Sequence, residues 1–170
     1  LAVSPFPVND GGIFYHINSG NLVVNGVEAA LTYRPQKRSL LGVNWAYAKA
    51  KATALNSYEY SLDGADWQYE TLNEDVPTHT YSVFGMHRLP HQVDVSALYS
   101  RVSRMKWLGD GDRLAPQDRL DLRIAKHFQY AGTSNSVAFV VQNVLDEYLE
   151  FRDENVFDTR AYLELTIGLP

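Results

Sequence analysis

The stretch that decides the fold is Leu41–Tyr47, which reads LGVNWAY. Every second residue in it is large and apolar, and the residues between them are small or polar. Successive side chains of a β-strand point to opposite faces, so this period of two predicts a strand with one apolar and one polar face. The same period recurs in segments that begin at Val27, Val93, Leu120 and Ala161. The sequence therefore predicts an all-β fold.

The alternation extends over long segments of the chain. The predicted strands lie at about 21–34, 39–52, 78–89, 91–105, 117–130, 135–144 and 159–169, with a weaker one near 12–19. Strands of ordinary globular proteins are about 5–6 residues long, whereas a membrane-spanning strand needs about 9–11. Strand length therefore favours a membrane protein over a soluble sandwich.

Short and long connections alternate between these strands. The short ones are Pro35–Arg38, Leu89–His91 and Ala131–Asn135, and the long ones are about Thr53–Pro77, Lys106–Pro116 and Leu145–Asp158. Short periplasmic turns at one end and long extracellular loops at the other are typical of outer-membrane barrels, although a soluble sandwich can imitate the pattern. We predict antiparallel up-and-down transmembrane β-barrel strands, about seven or eight of a larger barrel.

Composition narrows the possible function classes. The net charge of −5 carries no basic excess, which argues against a nucleic-acid partner, and the absence of cysteine excludes disulfides, thiolate catalysis and Cys-ligated metals. No window approaches 18 uninterrupted apolar residues, so no transmembrane helix is predicted. Because the chain starts at Leu1 without a secretory signal, we expect a processed product or a piece of a longer protein.

Aromatic residues are placed near the predicted strand ends. They are Tyr33, Trp45, Tyr47, Tyr99 and Tyr162. Tyr and Trp form girdles where a membrane meets water, so this placement fits a barrel wall. The alternative interpretation is that the same rings pack in the core of a sandwich.

Two segments in the first half of the chain resemble TonB-dependent outer-membrane receptors. Asn18–Pro35, which contains Gly26 and Glu28, is similar to the family's N-x-G…G-x-E-x-x-x-x-Y-x-P strand. The tripeptide from Pro77 to His79, preceded by a valine, is similar to the (I/V)-P-x-H start of a barrel strand. In the family, each of these leads into a strand, a short turn and a second strand.

The third and most specific resemblance lies near the C-terminus. The segment Val141–Tyr148, with Asn143, Asp146 and Tyr148, resembles the family's x-x-N-(L/V)-(F/L)-D-x-x-Y signature. Arg160 then opens a last alternating strand, as in the family's final strand. The resemblance extends over nearly the whole chain, and we interpret residues 1–170 as the C-terminal part of such a barrel.

The chain also departs from the family pattern. It ends Gly168-Leu169-Pro170, where family members usually end on Phe or Trp, and Asp158-Thr159-Arg160 stands where a Gly-Arg pair is commoner. The family barrel has 22 strands and an N-terminal plug, so this sequence holds only a portion and lacks both the plug and the TonB box.

The resemblance implies transport across the bacterial outer membrane, without catalysis, metal or cofactor. The implied cargo is a scarce nutrient, by default a ferric siderophore, although relatives carry haem, cobalamin, nickel complexes and glycans. The implied partners are the TonB complex, acting through the plug, and outer-membrane lipid and lipopolysaccharide. The residues expected to face the ligand from the long loops are Tyr58, Tyr60, Trp67, Tyr69, Lys106 and Trp107. These loops could instead pack their own aromatic side chains.

The polar positions of the alternating strands suggest an interior face. They are Glu28, Asn44, Asp94, Asp121, Arg123 and Glu164. Such a set fits a polar barrel lumen, and equally a solvated sheet face. A soluble or small-barrel lipocalin-like binding protein is the main alternative function, but it would need a dry interior face. No catalytic constellation supports an enzyme.

Overall fold

The computed structural model describes residues 8–10, 13–15, 21–53, 73–106, 112–130, 132–150 and 152–168. The strands there are β1 (Val8–Asp10), β2 (Ile13–Tyr15), β3 (Asn21–Tyr33), β4 (Ser39–Thr53), β5 (His79–Leu89), β6 (Val93–Val102), β7 (Met105–Lys106), β8 (Arg113–Leu114), β9 (Gln117–Tyr130), β10 (Thr133–Gln142), β11 (Tyr148–Glu150), β12 (Arg152–Phe157) and β13 (Arg160–Thr166). The predicted all-β class is confirmed.

Seven strands form one antiparallel sheet in the order β3-β4-β5-β6-β9-β10-β13. The others pair as the hairpins β1-β2, β7-β8 and β11-β12. The sheet strands that follow one another along the chain are also neighbours in the sheet, which is the predicted up-and-down arrangement. Within the described residues the sheet is open and not closed into a barrel, because β3 pairs only with β4 and β13 only with β10.

The two ends of the sheet differ, as the connection lengths predicted. Residues 34–38, 90–92 and 131–132 join neighbouring strands at one end, which we term the turn end. Residues 54–78, 103–116 and 143–159 join them at the opposite end, which we term the connection end. The hairpins β7-β8 and β11-β12 lie within two of these long connections.

The register places most of the large apolar side chains of the sheet on one face. Directly paired residues share a face, and one such row runs Leu31, Val43, Val83, Tyr99, Leu120. We term this side the apolar face. The opposite side, termed the polar face, carries small and polar residues together with a few apolar ones.

Little of the described part of the chain forms a hydrophobic core. The buried apolar residues are mostly small, namely Ala50, Ala52, Leu114, Ala125, Ala138 and Val140. The large side chains of the apolar face are exposed instead, and Leu163 retains 74% of its accessible surface. A single sheet layer has no second layer to cover its apolar side.

Several predicted boundaries are wrong by a few residues, for local reasons. The sixth strand begins at Val93 and not at 91, because His91 and Gln92 both adopt φ 60 in the turn after Pro90. The strand predicted over 135–144 runs from 133 to 142, because Asn143 turns the chain with φ 57. Alternation cannot place such corners, since they depend on individual backbone conformations.

Other corrections concern the smaller elements. The weak strand predicted near 12–19 is only Ile13–Tyr15, paired with Val8–Asp10. The hairpins inside the long connections were not predicted. β7, β8 and β11 have only two or three residues, too few to show a period, and the six residues of β12 do not alternate. The placement of Tyr162 with the other strand-end aromatics was also wrong. It lies on the polar face, paired with Val140.

Candidate functional site

The apolar face is a broad surface of exposed hydrophobic side chains. Val83, Ile124 and Phe139 lie in its middle and are 44%, 48% and 46% exposed. Ile124 pairs with Val95 on one side and with Phe139 on the other, so the apolar surface is continuous from strand to strand. Soluble monomers rarely expose contiguous apolar patches larger than a few hundred Å², so this face is suited to contact with an apolar partner.

Aromatic rings border the apolar face at the connection end. The His79 ring is stacked with those of Trp45 and Tyr81, with centroids 6.1 and 6.0 Å away, and lies 5.2 Å from that of Tyr47. The His79 position of the family motif is therefore the centre of an aromatic cluster. Lys49 follows on the same face, one step farther from the sheet centre. Along β4 the side chains thus change from aliphatic to aromatic to charged.

A second aromatic border lies at the turn end. Tyr33 and Tyr130 are the last residues of their strands on this face and are 60% and 74% exposed. Lys126 also lies on this face, and its ammonium donates a hydrogen bond to the His91 carbonyl in the neighbouring turn. A lysine that reaches toward the end of the sheet in this way keeps its charge at the border while its alkyl stem covers apolar surface.

The distance between the two borders can be read along β9. Leu120 pairs with Tyr99 at the connection end, and Phe128 lies eight residues farther on, toward the turn end. At about 3.4 Å per residue this is about 27 Å of strand. Outer-membrane barrels have an apolar band about 25 Å tall, crossed by tilted strands. At a strand tilt of about 40°, this length of strand rises about 21 Å, which is about 4 Å less than such a band.

The six predicted interior residues all lie on the polar face. The register assigns Glu28, Asn44, Asp94, Asp121, Arg123 and Glu164 to that side. The prediction that they share a face is confirmed. Together they give the polar face carboxylates, guanidinium groups and amides, whereas the opposite side of the same strands is dominated by hydrophobic side chains.

Ion pairs link strands across the polar face, between neighbours in one case and across β10 in another. The Arg88 guanidinium donates two hydrogen bonds to Asp94, at 2.7 and 2.8 Å, and His127 Nε2 lies 2.9 Å from the same carboxylate. Nearer the sheet edge, Arg123 Nη2 lies 3.2 Å from the Glu164 carboxylate. These pairs satisfy the charged groups within the sheet, so much of the polar face is prearranged.

An open cavity of about 620 Å³ lies on the polar face. Glu28, Asn44, Thr80, Ser82 and Ser100 contribute polar groups to its wall. Asn44 Nδ2 donates to Ser82 Oγ at 3.0 Å, which fixes the orientation of both. Most of the accessible wall is nevertheless apolar, so the cavity has a mixed character and does not select a polar occupant by itself.

Gly26, the other residue of the first motif, serves close backbone packing. A Cβ at this position would stand 2.5 Å from the carbonyl oxygen of Tyr47 on β4. Any side chain would push the two strands apart. Gly26 therefore has a structural role, while Glu28, two residues on, lines the cavity.

The C-terminal motif forms a corner at the connection end. Asn143 is only 1% exposed, and its backbone N–H donates to Asp121 Oδ1 at 2.9 Å. Its side-chain Nδ2 donates to the Phe157 carbonyl at 2.7 Å, and Thr159 Oγ1 donates to its carbonyl at 2.6 Å. One residue thus joins β9 to the end of β12 and to the segment that follows it. The motif position acts as a structural anchor and not as a ligand contact.

Tyr148 and Arg160 complete this corner. The Tyr148 ring stacks on Phe157 with centroids 4.8 Å apart, and the Arg119 guanidinium lies 5.5 Å from the Tyr148 centroid. Arg160 lies over the other ring of the stack, at 5.8 Å. Asp146 is exposed at the surface of the same corner. Cations above stacked rings stabilise the hairpin against the sheet.

A small charged cluster lies beside the β7-β8 hairpin at the connection end. Arg113 Nε lies 2.7 Å from the Glu74 carboxylate, and Lys106 pairs with Arg113 in register. The Asp75 carboxyl is buried here, and neither of its oxygens accepts a hydrogen bond from the described part of the chain. Burial raises the pKa of Asp75 to about 6, although the charge of Lys106 lowers it in part. This carboxyl therefore gains a proton more readily than an ordinary aspartate.

The structure locates one of the predicted ligand-facing residues, and their contact with a ligand stays a prediction. Lys106 lies at the connection end, on the side where the long loops were predicted. The other five fall outside the described residues: Tyr58, Tyr60, Trp67, Tyr69 and Trp107. Pro77 belongs to the second motif and lies just before β5. The carbonyl of the next residue, Thr78, accepts a 3.1 Å hydrogen bond from the Ala48 amide on β4.

Some contacts were not predicted from the sequence. Phe84 on the polar face lies over Gly42 of the neighbouring strand, in the space that a Cβ there would need. Gln117 forms two hydrogen bonds with the Leu149 backbone, at 2.9 and 3.0 Å, and so ties β11 to β9. The signal for the first was available, since a glycine inside an alternating strand often marks a close approach.

Comparison with known proteins and with simple site patterns adds no assignment. No family model and no curated protein matches the chain. In the ranges that the structure covers, no group of three or more His, Cys, Asp or Glu residues is placed to hold a metal ion. No helix in those ranges is long and apolar enough to cross a membrane.

Proposed function

We propose that this chain forms part of the wall of an outer-membrane TonB-dependent receptor and takes part in the uptake of a scarce nutrient. The observation that carries the proposal is the exposed apolar face, bordered by aromatic residues at both ends of an up-and-down sheet. Its C-terminal motif residues and the alternation of short turns with long connections add to it. The proposed role is transport without chemistry on the cargo.

The apolar face supports a lipid environment. In water, exposed Val, Leu, Ile and Phe side chains in such number would favour aggregation, while in a bilayer they match the acyl chains. The aromatic rings around His79 then lie at one interface, and Tyr33 and Tyr130 lie at the other. Beyond the aromatic residues, Lys49 follows Tyr47 at the connection end and Arg34 follows Tyr33 at the turn end. Headgroups and water would solvate both charges there.

The polar face supports an aqueous interior. Its ion pairs and its cavity give a surface that water or a polar protein segment can solvate. A lipocalin-like carrier would require the opposite distribution, with hydrophobic side chains toward its cavity. Glu28, Asn44 and Ser82 place polar groups in the cavity wall, and ion pairs lie on the same face, so the carrier is the weaker proposal.

The proposed cargo is a ferric siderophore, and the proposed partner is the TonB complex acting through a plug. Both follow from the family resemblance. The connection end is the proposed outer side, because long loops in such barrels face the medium. Lys106 and Trp107, together with the aromatic residues of the preceding long loop, form the proposed ligand-facing set.

Membrane fractionation tests the proposal directly. The protein should be recovered with the outer membrane, and an unheated sample should migrate differently from a heated one on a denaturing gel, because a closed barrel resists detergent. Binding of ferric siderophores to cells grown under iron limitation then tests the cargo. Recovery in a soluble fraction, with no heat-dependent shift, would overturn the receptor proposal and favour the soluble carrier.

A further inference from the structure

A group of cations lies at the turn end of the polar face. Arg34, Lys37, Arg38 and Arg88 line an open cavity of about 390 Å³ there. The strand register pairs Arg88 with Asp94, which is one of the polar-face residues, so the cavity opens on that side of the sheet. We term these four cations the turn-end cluster.

The charge at this end of the sheet is strongly one-sided. In the described short turns and the last two residues of each adjoining sheet strand, the only Asp or Glu is Asp94, against the four cations of the cluster. Asp94 already accepts two hydrogen bonds from Arg88 and lies 2.9 Å from His127 Nε2. The three cations of the β3-β4 turn have no ion-pair partner within the described residues. Like charges on neighbouring strands repel, so a bound anion would relieve this repulsion.

The turn that carries these cations is held in a fixed shape. The Ser39 amide donates to the Gln36 carbonyl at 3.1 Å, and the Arg88 amide donates to the Arg38 carbonyl at 2.8 Å. Ser39 Oγ also lies 2.7 Å from His87 Nδ1. Since the backbone of the turn is tied to β5, an anion would bind to prearranged charges and would not have to order a free loop.

The wall of the cavity is apolar between the cations. Leu40 and Met86 pair in register on the polar face, and both line the cavity. Met86 is 40% exposed there. A hydrated inorganic anion gains nothing from such a surface. An occupant that carries carboxylates beside an aliphatic side chain would use both parts of the wall, because guanidinium groups donate paired hydrogen bonds to carboxylates and the aliphatic group would leave water.

The spacing of the cations favours an extended occupant. They are distributed over the ends of three neighbouring strands, β3, β4 and β5. Neighbouring strands lie about 4.8 Å apart, so the cluster extends over about 10 Å, which one carboxylate does not cover. In an extended segment, side chains two residues apart point to the same side at a spacing of about 6.8 Å. A segment of the form Glu-x-Leu-x-Glu thus presents two carboxylates and an aliphatic group to one surface.

We propose that the turn-end cluster binds an acidic segment of a protein in which carboxylates alternate with an aliphatic side chain. Arg34 and Arg38 donate hydrogen bonds to the carboxylates, and Lys37 adds a point charge. Leu40 and Met86 cover the aliphatic group. The inference stands on this cavity and does not depend on the proposed membrane location. Within the proposed receptor, the site faces the aqueous interior at the end away from the medium.

The test measures the binding of labelled peptides to the full chain in a non-ionic detergent by fluorescence anisotropy. The probe peptide has seven residues, with Glu at the second and sixth positions, Leu at the fourth and Ser elsewhere. One control peptide has Gln in place of both Glu residues, and another has Ser in place of Leu. The test variant is the triple substitution Arg34→Gln, Lys37→Gln and Arg38→Gln. The matched control variant is Lys49→Gln with Lys51→Gln, which removes cations at the connection end.

The unaltered chain and the control variant should bind the probe peptide equally, and more tightly than either control peptide. An exposed ion pair contributes about two-fold in affinity, so the triple variant should bind the probe peptide about eight-fold more weakly. Met86→Gln should reduce the preference for Leu over Ser in the peptide and keep the preference for Glu over Gln. The single variant Lys37→Glu, at an exposed position of the turn, should weaken binding about four-fold and serves if the triple variant does not fold.

Several results would overturn the inference. Equal binding of the Glu and Gln peptides, equal affinity of the triple and control variants, or no saturable binding of the probe peptide at millimolar concentration would each exclude the site. Displacement of the probe peptide by inorganic phosphate at equal concentration would show a simple anion site and would overturn the assignment to a protein segment. Each of these results leaves the membrane proposal standing, because fractionation and heat-dependent gel mobility test that separately.

Discussion

A charge placed in the middle of the apolar face provides the sharpest test of the proposed environment. Ile124 lies about midway between the borders at Leu120 and Phe128, is 48% exposed, and contacts lipid if the proposal is correct. An arginine on the lipid face of a barrel costs about 2–4 kcal/mol at the bilayer midplane. The variant Ile124→Arg should therefore lower the folding equilibrium constant in vesicles about 30-fold to about 700-fold.

The depth-matched control is Ser96→Arg. Ser96 pairs with Arg123 on the polar face, in the row next to that of Ile124, and Asp94 is two residues away on the same side. Its new charge meets one like charge and one carboxylate in an aqueous setting. We therefore expect a cost below about 1 kcal/mol.

The measurement is denaturant unfolding of each variant in vesicles, followed by tryptophan fluorescence and by heat-dependent gel mobility. If the apolar face were exposed to water, Ile124→Arg would be a surface substitution with an effect within about 0.5 kcal/mol. Equal stability of the Ile124 and Ser96 variants would therefore refute the membrane reasoning, whatever their absolute stability.

Three further predictions concern local structure. Asn143→Ala should destabilise the chain by about 2–4 kcal/mol, because it leaves the Phe157 carbonyl without its donor and strains a backbone at φ 57. Asn143→Gly should recover the part of this loss that comes from the backbone. Equal unfolding midpoints for the two variants would contradict this. Gly42→Ala should lower the free energy of unfolding by about 1–3 kcal/mol, because the new Cβ meets the Phe84 ring. In a double-mutant cycle, Phe84→Ala should remove this loss. Additive effects of the two substitutions would argue against the contact. Asp75 has its folded pKa raised to about 6 from 3.8, so the folded state binds the extra proton between these values and stability falls as pH rises from about 4 to about 6. Asp75→Asn should flatten this part of the stability profile against pH, and an unchanged slope would exclude Asp75 as its source.

The sequence predicted on which face the charged residues lie, but not which of them pair with one another. The six interior residues were predicted correctly to share a face, because the strand period fixes which side each residue takes once one neighbour is placed. The pairing of Arg88 with Asp94 and of Arg123 with Glu164 was not predicted. It depends on register between strands, which residue spacing within one strand does not specify.

The motif residues show the same division. The sequence indicated that Asn143, Tyr148 and Arg160 belong together, and the structure gives each a structural task at one corner. The task of Asn143 depends on Asp121, Phe157 and Thr159, which are distant in sequence and meet only after the hairpin folds back on the sheet. Tertiary contacts of this kind have no local pattern from which they could be read.

The sequence by itself determined the all-β class, the up-and-down order, the two faces of each strand and the difference between the two ends. All of these arise from a period of two and from connection length, which are local properties of the chain. Only the tertiary structure decided that the apolar faces of the described strands join into one surface and that Tyr162 lies on the other side. These features depend on how strands are aligned with one another, and a shift of one residue in register would reverse every face.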